Sequence, residues 1–446
     1  MNFLPMIFNL GQFNLWFADR MRCHSFDIQH IAFDKLEKWG FDDRFGNLRH
    51  TSGKFFSIEG IHVETNSQSL TNWNQPIINQ PEVGFLGFIV KRVEGKLHFL
   101  MQAKMEPGNI SFIQLAPTLQ ATRSNYTRVH QGAAPPFLEY FRDRRKAKVL
   151  VDSLQSEQGG RFLRKRNRNI IIEIPEDEIL PESEDFIWLT LEQIHELLRR
   201  DNVINMDART VLSCLPPEFS DSVEPEKDEG APMHSLRDIL SWFTELKCKY
   251  DLSVRTIPLG EADPWVIEPD RIFHPSGNFF EVIAVRVEAD NREVRAWTQP
   301  LLKPCREGII AFVVKDYEGE PHFLMQGKVE AGNFDIVEMA PTVQCLTGDY
   351  RRVADEDRPA FLDFVLDATS ESVLFDSRQS EEGGRFYREE NRNRIVRASA
   401  DFPEMLPDNF IWVSLRQLKE LMRFNNVVNV QARCLLCAVT PELLAA

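Results

Sequence analysis

The sequence predicts a tandem duplication of one α+β domain, each copy an α/β/α arrangement on a mixed sheet. Three observations carry this. Long stretches of the chain occur twice, each copy holds paired apolar runs of strand length around a turn, and amphipathic helical segments lie between them.

The duplication is read directly. HFLMQAKMEPGN (98–109) recurs as HFLMQGKVEAGN (322–333), QLAPTLQATRSNY (114–126) as EMAPTVQCLTGDY (338–350), and VLVDSLQSEQGGRF (149–162) as VLFDSRQSEEGGRF (373–386). All of these pairs share one shift of 224 residues, and no gap is needed from His50 to Arg209 against His274 to Arg433. The eight tryptophans pair independently: Trp16 with Trp242, Trp39 with Trp265, Trp73 with Trp297 and Trp188 with Trp412. A period this long makes each copy domain-sized rather than a solenoid unit. The expected boundaries are 1–213 for the first repeat, an acidic proline-rich linker over 214–234, and 235–446 for the second.

Within a copy, FLGFIVKRV (85–93) and KLHFLMQAKM (96–105) predict a hairpin around Glu94 and Gly95. ISFIQLAPT and VLVDSL predict further strands. PPFLEYFRDRRK (135–146) predicts a helix opening after its prolines. LTLEQIHELLRRDN (189–202) predicts a longer one with Thr190 as N-cap. SLRDILSWFTELKCKY (235–250) places Leu236, Ile239, Leu240, Phe243 and Leu246 on one helical face and opens the second copy.

Composition excludes several classes. With 43% hydrophobic and 27% charged residues the chain is globular, and a formal net charge of −15 disfavours a nucleic-acid partner, so an anionic ligand must meet local positive charge. Seven scattered cysteines suit reduced thiols in a cytoplasm, and Cys434 and Cys437 read as buried core thiols. MNFLPMIFNL lacks a basic n-region and a cleavage site, and no run reaches the length of a membrane span, so no membrane partner is expected. No dinucleotide-binding or P-loop glycine motif is present, and the histidines show no metal-ligand spacing. The chemistry is therefore expected to use side chains and backbone alone, with no cofactor and no metal.

The candidate site begins with SEQGGRFLRKRNRN (156–169) and SEEGGRFYREENRN (380–393). Gly159-Gly160 and Gly383-Gly384 permit a tight turn with amides facing a ligand. Arg161 and Arg385, with Arg168 and Arg392 one loop further on, suit a pyrophosphate clamp because guanidinium matches phosphate oxygens bidentately. Ser156, Gln158, Ser380 and Asn391 belong to the same candidate loops. The alternative is a structural turn with solvated arginines. Trp73 and Trp297, in WNQP and WTQP, either stack on a base or fill the core. QATRSNYTRVH gathers Arg123, Ser124, Asn125, Tyr126 and His130; its copy QCLTGDYRRVA keeps Tyr350, followed by Arg351, but has Ala354 in place of the histidine. Glu157 and Glu381 either act as a general base or cap the turn.

These motifs, QLAPTLQATRSNY and the two G-G-R-F loops above all, resemble the NDP-hexose 2,3-dehydratases over essentially the whole chain. The resemblance implies two copies of a Nudix-like domain, a homodimer, and a dTDP-4-keto-6-deoxyglucose substrate handled without a redox cofactor. Its product is an unstable 3,4-diketo-2,6-dideoxy sugar, passed to a 3-ketoreductase. The Nudix box is absent from both copies, which implies a scaffold stripped of its hydrolase carboxylates. The elimination needs one base, one acid and donors for an enolate oxygen. Glu157 or Glu381 is the expected base, Tyr126 or Tyr350 (or His130) the expected acid or donor, and Trp73 and Trp297 would lie against thymine. The competing readings are a divergent magnesium-dependent nucleotide-sugar hydrolase and a nucleotide-sugar sensor without activity.

Overall fold

The computed structural model describes residues 4–122, 134–143, 145–216, 219, 231–290, 292, 294–346, 358–399 and 401–445. Each repeat builds a seven-stranded mixed sheet. In the first, the order is Lys148–Ser156, Arg166–Glu173, Gly84–Val93, Lys96–Met105 and Phe186–Thr190, with Leu119–Ala121 added to the third member and Ile113–Ala116 to the fourth. Arg166–Glu173 runs parallel to Gly84–Val93 and the other named pairs are antiparallel. The second repeat follows the same plan, with Gly308–Tyr317 parallel to Glu390–Arg397 at its centre. Both central strands are near-continuous apolar runs, as expected of strands covered on both faces.

Local chemistry explains the boundaries. Glu94 (φ 51°) and Gly95 (φ 85°) form the tight left-handed turn that the predicted hairpin requires. Thr190 and Gln193 form a capping box that starts the helix Leu191–Leu198, and Ser235 with Asp238 does the same for Leu236–Lys249. The expected helix over 135–146 is shorter, Leu138–Arg142. Phe137 enters it in a left-handed conformation, and Asp143 ends it by taking both the backbone and the guanidinium of Arg145.

The repeats are not separate bodies. Each also forms a five-stranded antiparallel sheet whose outer strand comes from the other repeat: Phe26–Ile31 pairs with Phe280–Ala289, and Leu252–Ile257 with Ser57–Thr65. The largest apolar cluster joins Phe88 and Phe99 of the first mixed sheet to Phe312 and Phe323 of the second. Helices Met206–Ser213 and Val430–Leu436 meet at this junction.

The G-G-R-F loops are the closest point of that junction. The amide of Gly332 donates to Gly159 O (2.6 Å) and that of Gly108 to Gly383 O (2.7 Å), so each loop clasps the turn after the long hairpin of the opposite repeat. Phe162 and Phe386 meet edge to face between them, 5.8 Å apart. A methyl at Gly332 would stand 1.7 Å from Phe162 O, and one at Gly108 1.6 Å from Phe386 O. Gly332→Ala is therefore expected to lose roughly 3 kcal/mol or more of stability. Gly95→Ala, strained only by its φ in open space, should lose roughly 1 kcal/mol. Urea midpoints of the two variants check this, and equal losses would mean the clasp is not close-packed.

Candidate active site

One cavity of about 530 Å³, within the size range of small-molecule sites, opens beside the first repeat's mixed sheet. Lys104 and Glu106 reach it from the end of the strand Lys96–Met105, Gln120 from the next short strand, and Asp207 from the first turn of the helix Met206–Ser213. Glu157, Lys165 and Asn167 come from the glycine loop and the strand after it. Trp39, Phe55 and Phe56 form an aromatic wall from the first repeat's smaller sheet and its loops. The opposite wall belongs to the second repeat: Trp297, Gln299, Glu382, Gly384 and Arg385. The cavity is composite because the clasp brings the second repeat's loop over the first repeat's sheet.

Its electrostatics are unusual. Glu157 accepts a 2.6 Å hydrogen bond from Asn167 through Oε1, while its buried Oε2 and the buried Oδ1 of Asp207 have no hydrogen-bond partner. Burial holds the Glu157 carboxyl above its usual range against the pull of Lys165 and Arg433. Burial, then the charges of Glu157, Glu382 and Glu106, hold Asp207 well above its own. Glu382 is pushed up to about 7 by burial despite the pull of Arg385, and burial lowers Lys165 to about 8. Such a cluster holds protons on carboxyl groups near neutral pH, the condition for general acid–base work.

The expected site residues divide sharply. Glu157, Gly384 and Arg385 line this cavity. Arg385 lies over the Phe56 ring at 4.3 Å and donates to Gln80 (3.2 Å), so its guanidinium serves the pocket of the opposite repeat. Arg161 makes the reciprocal contact with Phe280 at 4.3 Å.

The glycine pairs lie in tight turns, closed by the amides of Phe162 on Gln158 O (2.9 Å) and of Phe386 on Glu382 O (3.0 Å). None of Gly159, Gly160, Gly383 and Gly384 has a left-handed backbone, and what demands glycine is contact: a methyl on Gly159 would sit 2.2 Å from Asn333 Oδ1, and one on Gly383 2.2 Å from Asn109 Oδ1. Arg168 and Arg392 lie on strands rather than a further loop, each held bidentately by Asp152 or Asp376 at 2.6–2.8 Å. Their forks are committed to carboxylates. Ser156 and Ser380 are buried at the junction, bonded to Glu338 (2.6 Å) and Gln114 (2.7 Å). Both tryptophans of the W-x-Q-P motifs sit within strands, Asn72–Asn79 and Ala296–Pro304, not outside them. Each packs on an apolar cluster of its own repeat, Trp73 on Ile61, Val63 and Ile77 and Trp297 on Ile283, Val285 and Val287, and Trp297 also lines the cavity. Arg123, Ser124, Asn125, Tyr126, His130, Tyr350 and Arg351 lie outside the described residues.

Sequence reasoning missed Lys104, Glu106, Lys165, Asp207 and Glu382. The signal lay in the repeat alignment. At a shift of 224, Lys165 faces Glu389, Asp207 faces Gln431, and Glu382 faces Gln158. In the second repeat Glu381 accepts from Gln158 of the first repeat through Oε2 and from Asn391 through Oε1, so that carboxylate has both oxygens engaged. The same position in the first repeat leaves Glu157 Oε2 unengaged. Among the described residues no three His, Cys, Asp or Glu side chains are grouped to hold a metal ion, and no helix is long and apolar enough to cross a membrane.

The family model for NDP-hexose 2,3-dehydratase matches residues 10–215 and again 236–439. The chain belongs to the NDP-hexose 2,3-dehydratase family. It is 47% identical over 442 residues to a dTDP-4-dehydro-6-deoxy-alpha-D-glucopyranose 2,3-dehydratase of Saccharopolyspora spinosa, covering 96% of this chain and 90% of that protein. It is 45% identical over 430 residues to the enzyme of that name from Streptomyces violaceoruber, covering 96% of both, and 44% identical over 429 residues to that of Amycolatopsis orientalis, covering 95% and 88%. The double match follows the duplication.

Buried carboxyls also set a stability profile. Burial raises Glu338, at the junction, and Glu389, beside Glu381, from 4.5 to about 7. Between those values the unfolded chain has lost protons that the folded chain keeps, so stability falls as pH rises from about 4.5 through 7. The thermal midpoint of this dehydratase is expected to drop from pH 5 to pH 8. Glu338→Gln should flatten that drop by on the order of 1–3 kcal/mol. An unchanged slope in the variant would mean Glu338 is ionised in the folded state.

Proposed function

We propose that the chain removes water across carbons 2 and 3 of dTDP-4-keto-6-deoxyglucose in the first repeat's cavity, giving the 3,4-diketo-2,6-dideoxy sugar. The observation that carries this reading is the buried Glu157–Asp207 pair, with one unpartnered oxygen on each residue, beside Lys104 and Lys165. The keto group at carbon 4 acidifies the hydrogen on carbon 3. The carboxylate pair takes that proton, the enolate oxygen is stabilised by the lysine side chains, and the carbon 2 hydroxyl then leaves as water. The enol formed tautomerises to the diketone. Arg385 is suited to the diphosphate and Trp297 to the base, in a chain whose overall charge is negative.

This reading takes each mixed sheet as a Nudix-like scaffold without its hydrolase carboxylates. It puts the enzyme in the cytoplasm as a homodimer that passes its unstable product to a 3-ketoreductase. The repeat boundaries are taken as 1–213 and 235–446, joined by 214–234.

The test is mass spectrometry of the keto sugar incubated with metal-stripped protein. Loss of one water with the diphosphate intact is expected. Glu157→Gln and Asp207→Asn should each slow turnover by about 10² to 10⁴-fold while dTDP affinity stays within roughly threefold. Cleavage to a sugar phosphate on adding magnesium would make the chain a hydrolase, and intact substrate would make it a sensor.

A further inference from the structure

We infer that Glu382, delivered by the second repeat into the first repeat's cavity, protonates the departing hydroxyl on carbon 2. The inference rests on the dehydratase reading and deepens it.

Three observations on geometry carry it. Glu382 lines the same cavity as Glu157 and Asp207, brought there by the second repeat together with Gly384 and Arg385. Its carboxyl makes no side-chain hydrogen bond among the described residues, whereas Glu157 is tied to Asn167 and Glu106 to Gln120. The equivalent position of the first loop is Gln158, an amide that can donate a hydrogen bond but no proton, and it is spent on Glu381. Within S-E-Q-G-G-R-F and S-E-E-G-G-R-F this is the one exchange, and it replaces an amide by a carboxyl.

The charges acting on Glu382 come from both repeats. Glu106, Glu157 and Asp207 disfavour its ionisation; Lys104, Lys165 and Arg385 favour it. With burial added, its proton is held up to about 7. A carboxyl that keeps its proton near neutrality beside a pair that takes the carbon 3 hydrogen is the division of roles an elimination needs. The step balances. The carbon 3 proton passes to the Glu157–Asp207 pair, the enolate electrons form the new double bond between carbons 2 and 3, and the carbon–oxygen bond at carbon 2 breaks. Glu382 gives its proton to the leaving oxygen, which departs as water. Tautomerisation of the enol returns the enzyme to its starting protonation.

The experiment follows carbon 3 exchange and water loss separately, using the full chain and dTDP-4-keto-6-deoxyglucose in deuterium oxide. In Glu382→Gln, deuterium should still enter carbon 3 at close to the wild-type rate, because the base is untouched. Water loss should fall by about 10² to 10⁴-fold. The decline in wild-type turnover as pH rises through about 7 should vanish in the variant. Glu382→Asp should recover part of the loss, and dTDP affinity should confirm that the pocket is formed. Water loss within about fivefold of wild type, with the same decline at high pH, overturns the assignment. So does a parallel loss of exchange and elimination, which would make Glu382 part of the base or of the scaffold. A wild-type chain that exchanges no deuterium and releases no water overturns the dehydratase reading and this inference together.

Discussion

The clasp between each G-G-R-F loop and the turn of the other repeat is the contact on which the rest depends. It is made of backbone: amides of Gly108 and Gly332 bonded to carbonyls of Gly383 and Gly159, with no room for a methyl group. Backbone contacts of this kind tolerate no sliding, because register and distance are fixed together. The clasp is reinforced by two buried arginines. Arg433 holds the carbonyl of Ser156 at 2.6 Å and Arg209 holds that of Ser380, each reaching across from the opposite repeat. Those carbonyls immediately precede Glu157 and Glu381. The junction therefore positions the carboxylates as well as joining the halves, and the pull of Arg433 tempers the burial of Glu157.

A junction of this kind explains how a symmetric gene gives an unsymmetric molecule. The scaffold residues are kept twice: Asn167 and Asn391 bond the loop glutamates, Gln120 and Gln344 bond Glu106 and Glu330, and Arg385 and Arg161 lie over Phe56 and Phe280. What differs is charge placed on that frame. Asp207 and Lys165 are replaced by Gln431 and Glu389, and because the loops cross, the Glu382 of the second copy enriches the first pocket. Crossing makes each pocket sensitive to substitutions in the other repeat, so a single-residue change can act on a site 224 positions away in sequence.

Much of the sheet architecture was legible because it depends on local signals. The Glu94-Gly95 hairpin, the capped helix after Thr190 and the one after Ser235 form as their sequences predict. The exchanged strands Phe26–Ile31 and Leu252–Ile257 were not legible. Strand partners are chosen by tertiary packing, and nothing in a short alternating run names the strand it will join. The glycine loop was recognised as a tight turn, and packing adds a second reason for its glycines: Gly159 and Gly383 also permit close approach of the other repeat. Arg168 and Arg392 looked like a clamp because their partners, Asp152 and Asp376, lie 16 residues upstream on a neighbouring strand. Glu157 was found from its motif, but Asp207 was not. A lone aspartate in a helical first turn has no signature until the helix is docked and its carboxyl meets Glu157.

That docking has a cost which the fold must carry. Asp207, Glu157 and Glu382 are held with little water around them and with one another's charge close by, and Glu338 and Glu389 are buried as well. Each favours a proton that free carboxylates lose, so the native state is under electrostatic tension at neutral pH. Apolar clusters that span both repeats, the exchanged strands and the backbone clasp supply the compensating stability. Relieving the tension by opening the pocket to water would restore ordinary carboxylates and remove the poised protons. The interlocked architecture and the raised carboxyls are thus one design problem: a scaffold that holds its two halves together keeps these groups sheltered between them.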